Sequence, residues 1–152
     1  MSDIVWAINP AKDQLSELSH RMRRFASDMF TARNIKFHFR TQFDDDLQLG
    51  ANVRREVFLI FKESVNNVVK HSHCTEATAQ FSIEEDRLML QVKDNGDGFE
   101  PAALNEPING GNGLSSMRQR ATELGGEFKV TTAQGQGTTI WLSVPVAGLR
   151  QN

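Results

Sequence analysis

The chain has 152 residues, a formal net charge of −2 and a single cysteine, Cys74. That length suits one domain with a proper core, and that charge gives no sign of a nucleic-acid or membrane-surface partner. The apolar runs are too short to cross a bilayer, no signal-peptide pattern is present, and one cysteine excludes an internal disulfide and fits a reducing compartment.

The opening Met1-Ser2-Asp3-Ile4-Val5-Trp6 reads like the middle of something, so a fragment of a longer protein is expected. Residues 4–8 are a short apolar piece stopped by Asn9-Pro10, where Asn9 can cap a helix with Pro10 in its first turn. The next segment carries Leu15, Leu18, Met22, Phe25 and Met29 as a one-sided helical stripe, with Arg21, Arg23, Arg24 and Asp28 on its other faces. His20 lies in this helix; nothing around it suggests activation, and it reads as an ordinary surface histidine. Residues 35–41 alternate Ile35, Phe37 and Phe39 with Lys36, His38 and Arg40, the pattern of a strand. Asp44-Asp45-Asp46 is a solvated loop without the spacing of a calcium loop.

A second helix is expected over residues 53–72. At about 100° per residue, Val57, Phe58, Phe61, Val65, Val68 and Val69 fall on one side and Glu63, Asn67 and Lys70 on the other. Solvent exposure is the plain reading of that polar face. Two details favour a ligand instead. Leu59 and Ile60 flank the face as though something covers it, and the trio offers a carboxylate, an amide oxygen and an ammonium. Mg²⁺ takes one or two protein oxygens and fills its shell with water and phosphate, so such a face suits a metal-bound polyphosphate. His71, His73 and Cys74 lack the paired spacing and fourth ligand of a zinc site, and read as residues near the helix C-terminal dipole.

Ala77, Ala79, Phe81 and Ile83, then a turn at Glu84-Glu85-Asp86, then Leu88, Leu90 and Val92 describe a hairpin. Counting on by twos, Asp94 falls on the core-facing side, where the pattern calls for another aliphatic residue. A charge there is paired or functional, because burying it alone is costly. The loop over residues 96–113 is long for a compact domain and glycine-rich, as lids are. Gly110-Gly111-Asn112-Gly113 leads into a helix with Leu114, Met117, Ala121 and Leu124 on one face. Its first N–H groups form either an anion seat or a plain connection. Gly125-Gly126 ends that helix, Phe128 and Val130 begin a strand, and Gly135-Gln136-Gly137 turns into a last strand bearing Thr138, Ile140, Leu142 and Val144 in one phase. Thr138 mirrors Asp94, and the two could share a ligand and a bridging water.

No P-loop, no dinucleotide fingerprint in the right context, no Gly-x-Ser-x-Gly elbow and no Cys/His nucleophile pattern is present. An acceptor for an exocyclic amine, a magnesium-competent helix face and a glycine lid remain, and adenine with phosphates fits all three.

Residues 63–145 resemble the ATP-binding domain shared by histidine kinases, gyrase-type ATPases, Hsp90 and MutL-type proteins, the Bergerat fold. Glu63-x-x-x-Asn67-x-x-Lys70-His71 resembles its N box, Asp94-x-Gly96-x-Gly98 its first glycine box, Gly111-x-Gly113-Leu114 its second, and Gly137-Thr138 its final Gly-Thr. The resemblance implies a two-layer α/β sandwich, a mixed sheet covered on one face by helices, with a glycine-rich ATP lid. It implies that Asp94 binds the adenine amine with Thr138 assisting through water, that Asn67 holds Mg²⁺ and Lys70 meets phosphate. Gly111 and Gly113 would hinge the lid, and His71, Gly96, Gly98 and Leu114 would line the nucleotide. Glu63 would orient the acceptor or a metal-bound water, or activate water as in the hydrolysing relatives.

Asn67-x-x-Lys70-His71-Ser72, Gly113-Leu114-x-x-Met117-x-x-Arg120 and the opening Ile4-Val5-Trp6-Ala7-Ile8-Asn9-Pro10 look most like sensor histidine kinases of the nitrate-sensor type. The expected organisation is an N-terminal segment and helix over 1–33, following a dimerisation domain, then the catalytic domain over 34–148. The His-Asp-x-x-x-Gln acceptor pattern of these kinases does not occur in this chain. The expected activity is therefore transfer of the γ-phosphate of Mg-ATP to a histidine on a separate dimerisation domain, in a full-length homodimer that also meets a response regulator. The setting implied is the cytoplasm, alone or as part of a membrane-anchored sensor, with no direct membrane contact by this domain. The rival readings are an anti-sigma-factor serine kinase, an ATPase of the gyrase or chaperone type, and a non-catalytic nucleotide-binding interaction module.

Overall fold

Period-two alternation in the strand segments and 3.6-residue stripes in the helical ones leave each element one apolar face, and burying those faces together makes the layers. The computed structural model describes residues 15–43, 49–97, 112–132 and 135–146. In chain order they form α1 (Leu15–Thr31), β1 (Lys36–Gln42), α2 (Ala51–Asn67) continued by a π-helical turn (Val68–Ser72), β2 (Glu76–Glu84), β3 (Arg87–Asp94), α3 (Asn112–Glu123), β4 (Glu127–Thr132) and β5 (Thr138–Pro145). Among the described residues the strands form one five-stranded sheet in the order β1-β2-β3-β5-β4. β1 runs parallel to β2, and the other neighbours are antiparallel. The architecture is the expected α/β sandwich on a mixed sheet. No described helix is long and apolar enough to cross a membrane.

One sheet face carries Ala77, Ala79, Phe81, Leu88, Leu90, Val92, Ile140, Leu142 and Val144, all buried. The helices pack onto it. Phe30 of α1 lies against Phe37 of β1 with ring centroids 4.9 Å apart, and Phe61 of α2 meets Phe39 edge-on at 6.2 Å. Each large apolar side chain so buried stabilises the fold by about 1.5–3 kcal/mol. On the other face Arg40, Gln80, Gln91, Trp141 and Lys129 stand in register, with the Lys129 ammonium 5.0 Å from the Trp141 ring centre.

Local chemistry explains the joints. α1 and α3 both end in a paired 6→1 and 5→2 hydrogen-bond motif. Ile35 and Asn34 donate to Phe30 and Thr31, and Gly126 and Gly125 donate to Ala121 and Thr122. Asn34 (φ 57°) and Gly125 (φ 73°) take the left-handed position those motifs require. The β2–β3 turn is a two-residue type I′ hairpin, with Glu85 at φ 51° and Asp86 at φ 61° between the paired Glu84 and Arg87.

Some expectations shift. In α1 the buried stripe is Leu15, Leu18, Met22, Ala26 and Phe30, so Phe25 and Met29 lie at its border, half-buried. Phe25 there meets Phe58 edge-on at 6.1 Å. α2 begins at Ala51, and its last turn is π-helical rather than α-helical. The Asn9-Pro10 cap and Asp44-Asp45-Asp46 lie outside the described residues.

Gly137 (φ 82°) has no room for a side chain, because a Cβ there would strike the Asp94 carbonyl and crowd the Asn95 Cα. Gly135 (φ 80°) has the same hand but open space. Gly135→Ala should therefore cost about 1–2 kcal/mol for backbone hand alone, and Gly137→Ala about 2–4 kcal/mol because steric displacement adds. Urea unfolding of the two variants checks this; equal losses would remove the close approach at Gly137.

Candidate nucleotide site

The sheet register sets the first element of the site. Asp94 ends β3 between Ala77 on one side and Thr138 on the other. Asp94 is buried, 4% exposed as a residue, and so is Thr138 at 9%. Burial raises the Asp94 pKa above the ordinary carboxylate value, opposed in part by hydrogen bonds from the backbone N–H groups of Gly96 and Thr138. The Gly96 bond to Oδ1 is 2.8 Å long. A carboxylate has about four acceptor sites, so two N–H donors leave capacity for an exocyclic amine. The Thr138 hydroxyl lies 3.0 Å from that of Thr132, and Thr132 also donates to the Gly137 carbonyl at 3.3 Å. Gly137 closes on the Asp94 backbone, so both ends of the Asp94–Thr138 pair are held.

α2 carries the second element. Glu63 and Asn67 are half-buried and Lys70 is exposed, while the opposite positions Val57, Phe58, Phe61 and Val65 are buried, as the helical phase requires. Ile60, expected to flank the polar face, is fully buried. Asn67 is the last α-helical residue, and Lys70 lies in the π turn, where the widened backbone alters how side chains leave the helix. The helix stops at His73, whose left-handed φ of 55° reverses the chain. The His73 Nδ1 lies 2.9 Å from Asp97 Oδ2, tying the helix end to the first glycine box. Cys74 is half-buried, and the described residues contain no cluster able to hold a metal through His, Cys, Asp and Glu alone. His20 is exposed, as an ordinary surface histidine should be.

α3 begins inside the Gly111-x-Gly113-Leu114 stretch and is fixed to α2. Met117 and Ala121 are buried, and Leu114 and Leu124 pack against the same core. The Ser64 hydroxyl donates to the Ile60 carbonyl at 2.8 Å and touches the Met117 sulfur at 3.3 Å. Arg120 Nη1 reaches the Glu56 carboxylate at 2.8 Å, and Arg55 Nε reaches its other oxygen at 3.2 Å. Glu56 is only 9% exposed at its side chain, so this pair is stronger than a surface one. α3 starts at Asn112, placing Gly113 in its first turn. Gly98 and Gly111 lie outside the described residues, as does the side chain of His71.

Several residues that brace these elements escape a motif reading. Glu56 and Ser64 occupy helical positions in phase with buried Ile60, so each is a polar residue where the stripe calls for an apolar one. That is the same anomaly that marks Asp94. Asn95 carries no such signal. It is exposed, yet its Oδ1 accepts the N–H groups of Thr75 and Glu76, both at 3.0 Å, and its Nδ2 donates to Thr75 Oγ1 at 3.0 Å.

The chemistry of this donor set suits Mg-ATP. It combines a buried carboxylate at the end of β3 with an amide and an ammonium at the end of α2. Comparison with known proteins identifies the family. A family model described as histidine kinase-, DNA gyrase B- and HSP90-like ATPase matches residues 52–148. The chain is similar to sensor histidine kinase LiaS of Bacillus subtilis, 35% identical over 101 residues that make up 66% of this chain and 27% of LiaS. It is similar to sensor protein VraS of Staphylococcus epidermidis, 32% identical over 101 residues, 66% of this chain and 28% of VraS. The matched part is thus little more than a quarter of those relatives. Among solved structures, the histidine kinase domain of the Erythrobacter litoralis EL346 blue-light activated histidine kinase shares the fold. Its TM-score is 0.69 at 22% identity, over 86% of this chain and 61% of that one. With that family model matching residues 52–148, well over half of the chain, the chain belongs to the histidine kinase-, DNA gyrase B- and HSP90-like ATPase family.

Proposed function

We propose that this chain is the ATP-binding catalytic domain of a sensor histidine kinase, transferring the γ-phosphate of Mg-ATP to a histidine on a separate dimerisation domain. The observation that carries the reading is the buried Asp94 carboxylate, held by backbone N–H groups opposite Thr138, in a chain of this ATPase family. The names of LiaS and VraS, a sensor histidine kinase and a sensor protein, support the kinase class.

Asp94 accepts the adenine amine, and Thr138 contributes through water. Asn67 and Lys70 face the phosphates, with Asn67 the Mg²⁺ ligand and His71 beside them. Magnesium, when bound, supplies neutralisation of phosphate charge. Gly96, Gly98, Gly111, Gly113 and Leu114 shape the nucleotide cradle. Phosphoryl transfer depends mainly on positioning and charge stabilisation, so the chain's own groups need form no covalent bond. The acceptor imidazole is the nucleophile, the γ-phosphorus gains a bond to its nitrogen, and ADP leaves with the bridging oxygen. Glu63 orients the acceptor or a metal-bound water. The partners are a dimerisation and phosphoacceptor domain, in a full-length homodimer, and a response regulator. The domain acts in the cytoplasm, free or as part of a membrane-anchored sensor. We place it nearest the nitrate-sensor type; Met117 and Arg120 of that motif supply the Ser64 and Glu56 contacts that seat α3. The segment over 1–33 links to the dimerisation domain, and 34–148 forms the catalytic unit.

Asp94→Ala should weaken ATP binding at least a hundredfold by calorimetry, and Asn67→Ala should remove the dependence of affinity on Mg²⁺. Wild-type affinity in the first variant would defeat the assignment. Incubation with ATP and a purified His-Asp-x-x-x-Gln dimerisation domain should give acid-labile phosphohistidine; an acid-stable product on serine would point to the other kinase class.

Asp94 also makes a pH prediction. Its folded pKa is raised, so between the unfolded value near 3.8 and the folded value the native state holds a proton that the unfolded chain does not. This group's contribution to stability therefore grows on acidification through that window and is lost as pH rises through the folded pKa. The carboxyl carbon of Asp94, followed by NMR, should titrate above 3.8 in the free domain and lower once nucleotide donates to it. A midpoint that does not move with saturating nucleotide would remove the amine contact.

A further inference from the structure

We infer that Asn95 is a positioning residue that fixes Asp94 against the segment leaving the phosphate-side helix. The inference rests on Asp94 being the purine acceptor. β3 and β2 pair through Ala77 and Asp94, and there the regular ladder ends. Beyond Asp94 the chain enters Asn95-Gly96-Asp97, where a glycine adds freedom and offers no side chain for packing. The mouth of the site would be loose if nothing replaced the ladder.

Asn95 replaces it. Its own N–H donates to the Glu76 carbonyl at 3.2 Å, which extends the β2–β3 pairing by one bond. Its side-chain oxygen then gathers two successive N–H groups, those of Thr75 and Glu76, and its amide nitrogen binds the Thr75 hydroxyl. Four hydrogen bonds from one exposed residue bind the first glycine box to the start of β2. On the same strip the Thr75 carbonyl accepts the N–H of Lys36 at the start of β1, and His73 pairs with Asp97. The strip 73–76 is also the chain that leaves the π turn carrying Lys70. Asn95 therefore sets the offset between the base acceptor and the phosphate-side helix.

The saturated Oδ1 makes Asn95 a poor direct ligand, since both of its acceptor positions are filled from within the protein. A residue of this kind is replaceable by shape. Asn95→Asp keeps an oxygen for both N–H groups and lets the Thr75 hydroxyl turn from acceptor to donor. Asn95→Ala keeps none of the side-chain bonds. Thr75→Val removes only the hydroxyl that orients the amide.

The test is ATP calorimetry on wild type, Asp94→Ala, Asn95→Ala, Asn95→Asp and Thr75→Val, at a temperature where circular dichroism shows each fully folded. Asn95→Ala should bind ATP about tenfold more weakly, Asn95→Asp within about threefold of wild type, and Thr75→Val two- to fivefold more weakly. Amide exchange at Thr75 and Glu76 should accelerate in Asn95→Ala and recover in Asn95→Asp, a paired response that general destabilisation would not give. Unchanged affinity in Asn95→Ala, or a tenfold loss in Asn95→Asp, overturns the inference. If Asn95→Ala does not fold, Thr75→Val decides: unchanged affinity overturns it. Wild-type binding in Asp94→Ala would instead overturn the nucleotide-site reading itself, so the two failures are separable.

Discussion

A carboxylate kept out of water at the end of a central strand is the constraint on which the rest of this structure turns. Burial alone makes Asp94 unfavourable in its charged form, and the chain answers with backbone N–H donors rather than with a cation. That choice matters. A lysine or arginine partner would neutralise the group and occupy its acceptor sites, whereas two peptide N–H groups hold it in place and leave capacity unused. The strand pairing that sets Thr138 opposite, the missing side chain at Gly137 and the turn at Gly96 all follow from keeping that one group ordered.

The helical layer serves the same geometry from the other side. α2 has to bury one flank on the sheet and still present Glu63, Asn67 and Lys70 elsewhere. The α-to-π change after Asn67 lets its end leave the regular helical spacing. α3 is tied to α2 by two polar contacts inside an apolar interface, Ser64 with Met117 and Glu56 with Arg120. Such contacts add directionality to a surface that hydrophobic packing alone would leave free to slide.

Much of this was legible in the residues. The strands followed from alternation, the hairpin from Glu84-Glu85-Asp86 between two apolar runs, and Asp94 from its phase. Asp94 stands out because the period of a strand is two and leaves little ambiguity about facing. The stripe of α1 was harder: Phe25 and Met29 lie one residue from Ala26 and Phe30, and only packing against Phe37 and Phe58 decides which pair is fully enclosed. The π turn has no sequence signature in Val68-Val69-Lys70. Asn95 was invisible for a different reason, because its role depends on two N–H groups some twenty residues earlier that converge only once β2 and β3 have paired. Periodicity reports which way a residue faces; it carries no information about which distant backbone group lies opposite.

The order of strands has a last consequence. Asp94 reaches Ala77 within a local hairpin, but it reaches Thr138 only across β3–β5, after α3 and β4 have intervened in the chain. A partly folded chain that keeps the hairpin keeps the carboxylate and loses the threonine. Any ligand that needs both can bind only the completed sheet, and its binding free energy is then added in full to the stability of that long-range pairing. Occupancy and cooperativity are therefore coupled through a single ladder of backbone bonds.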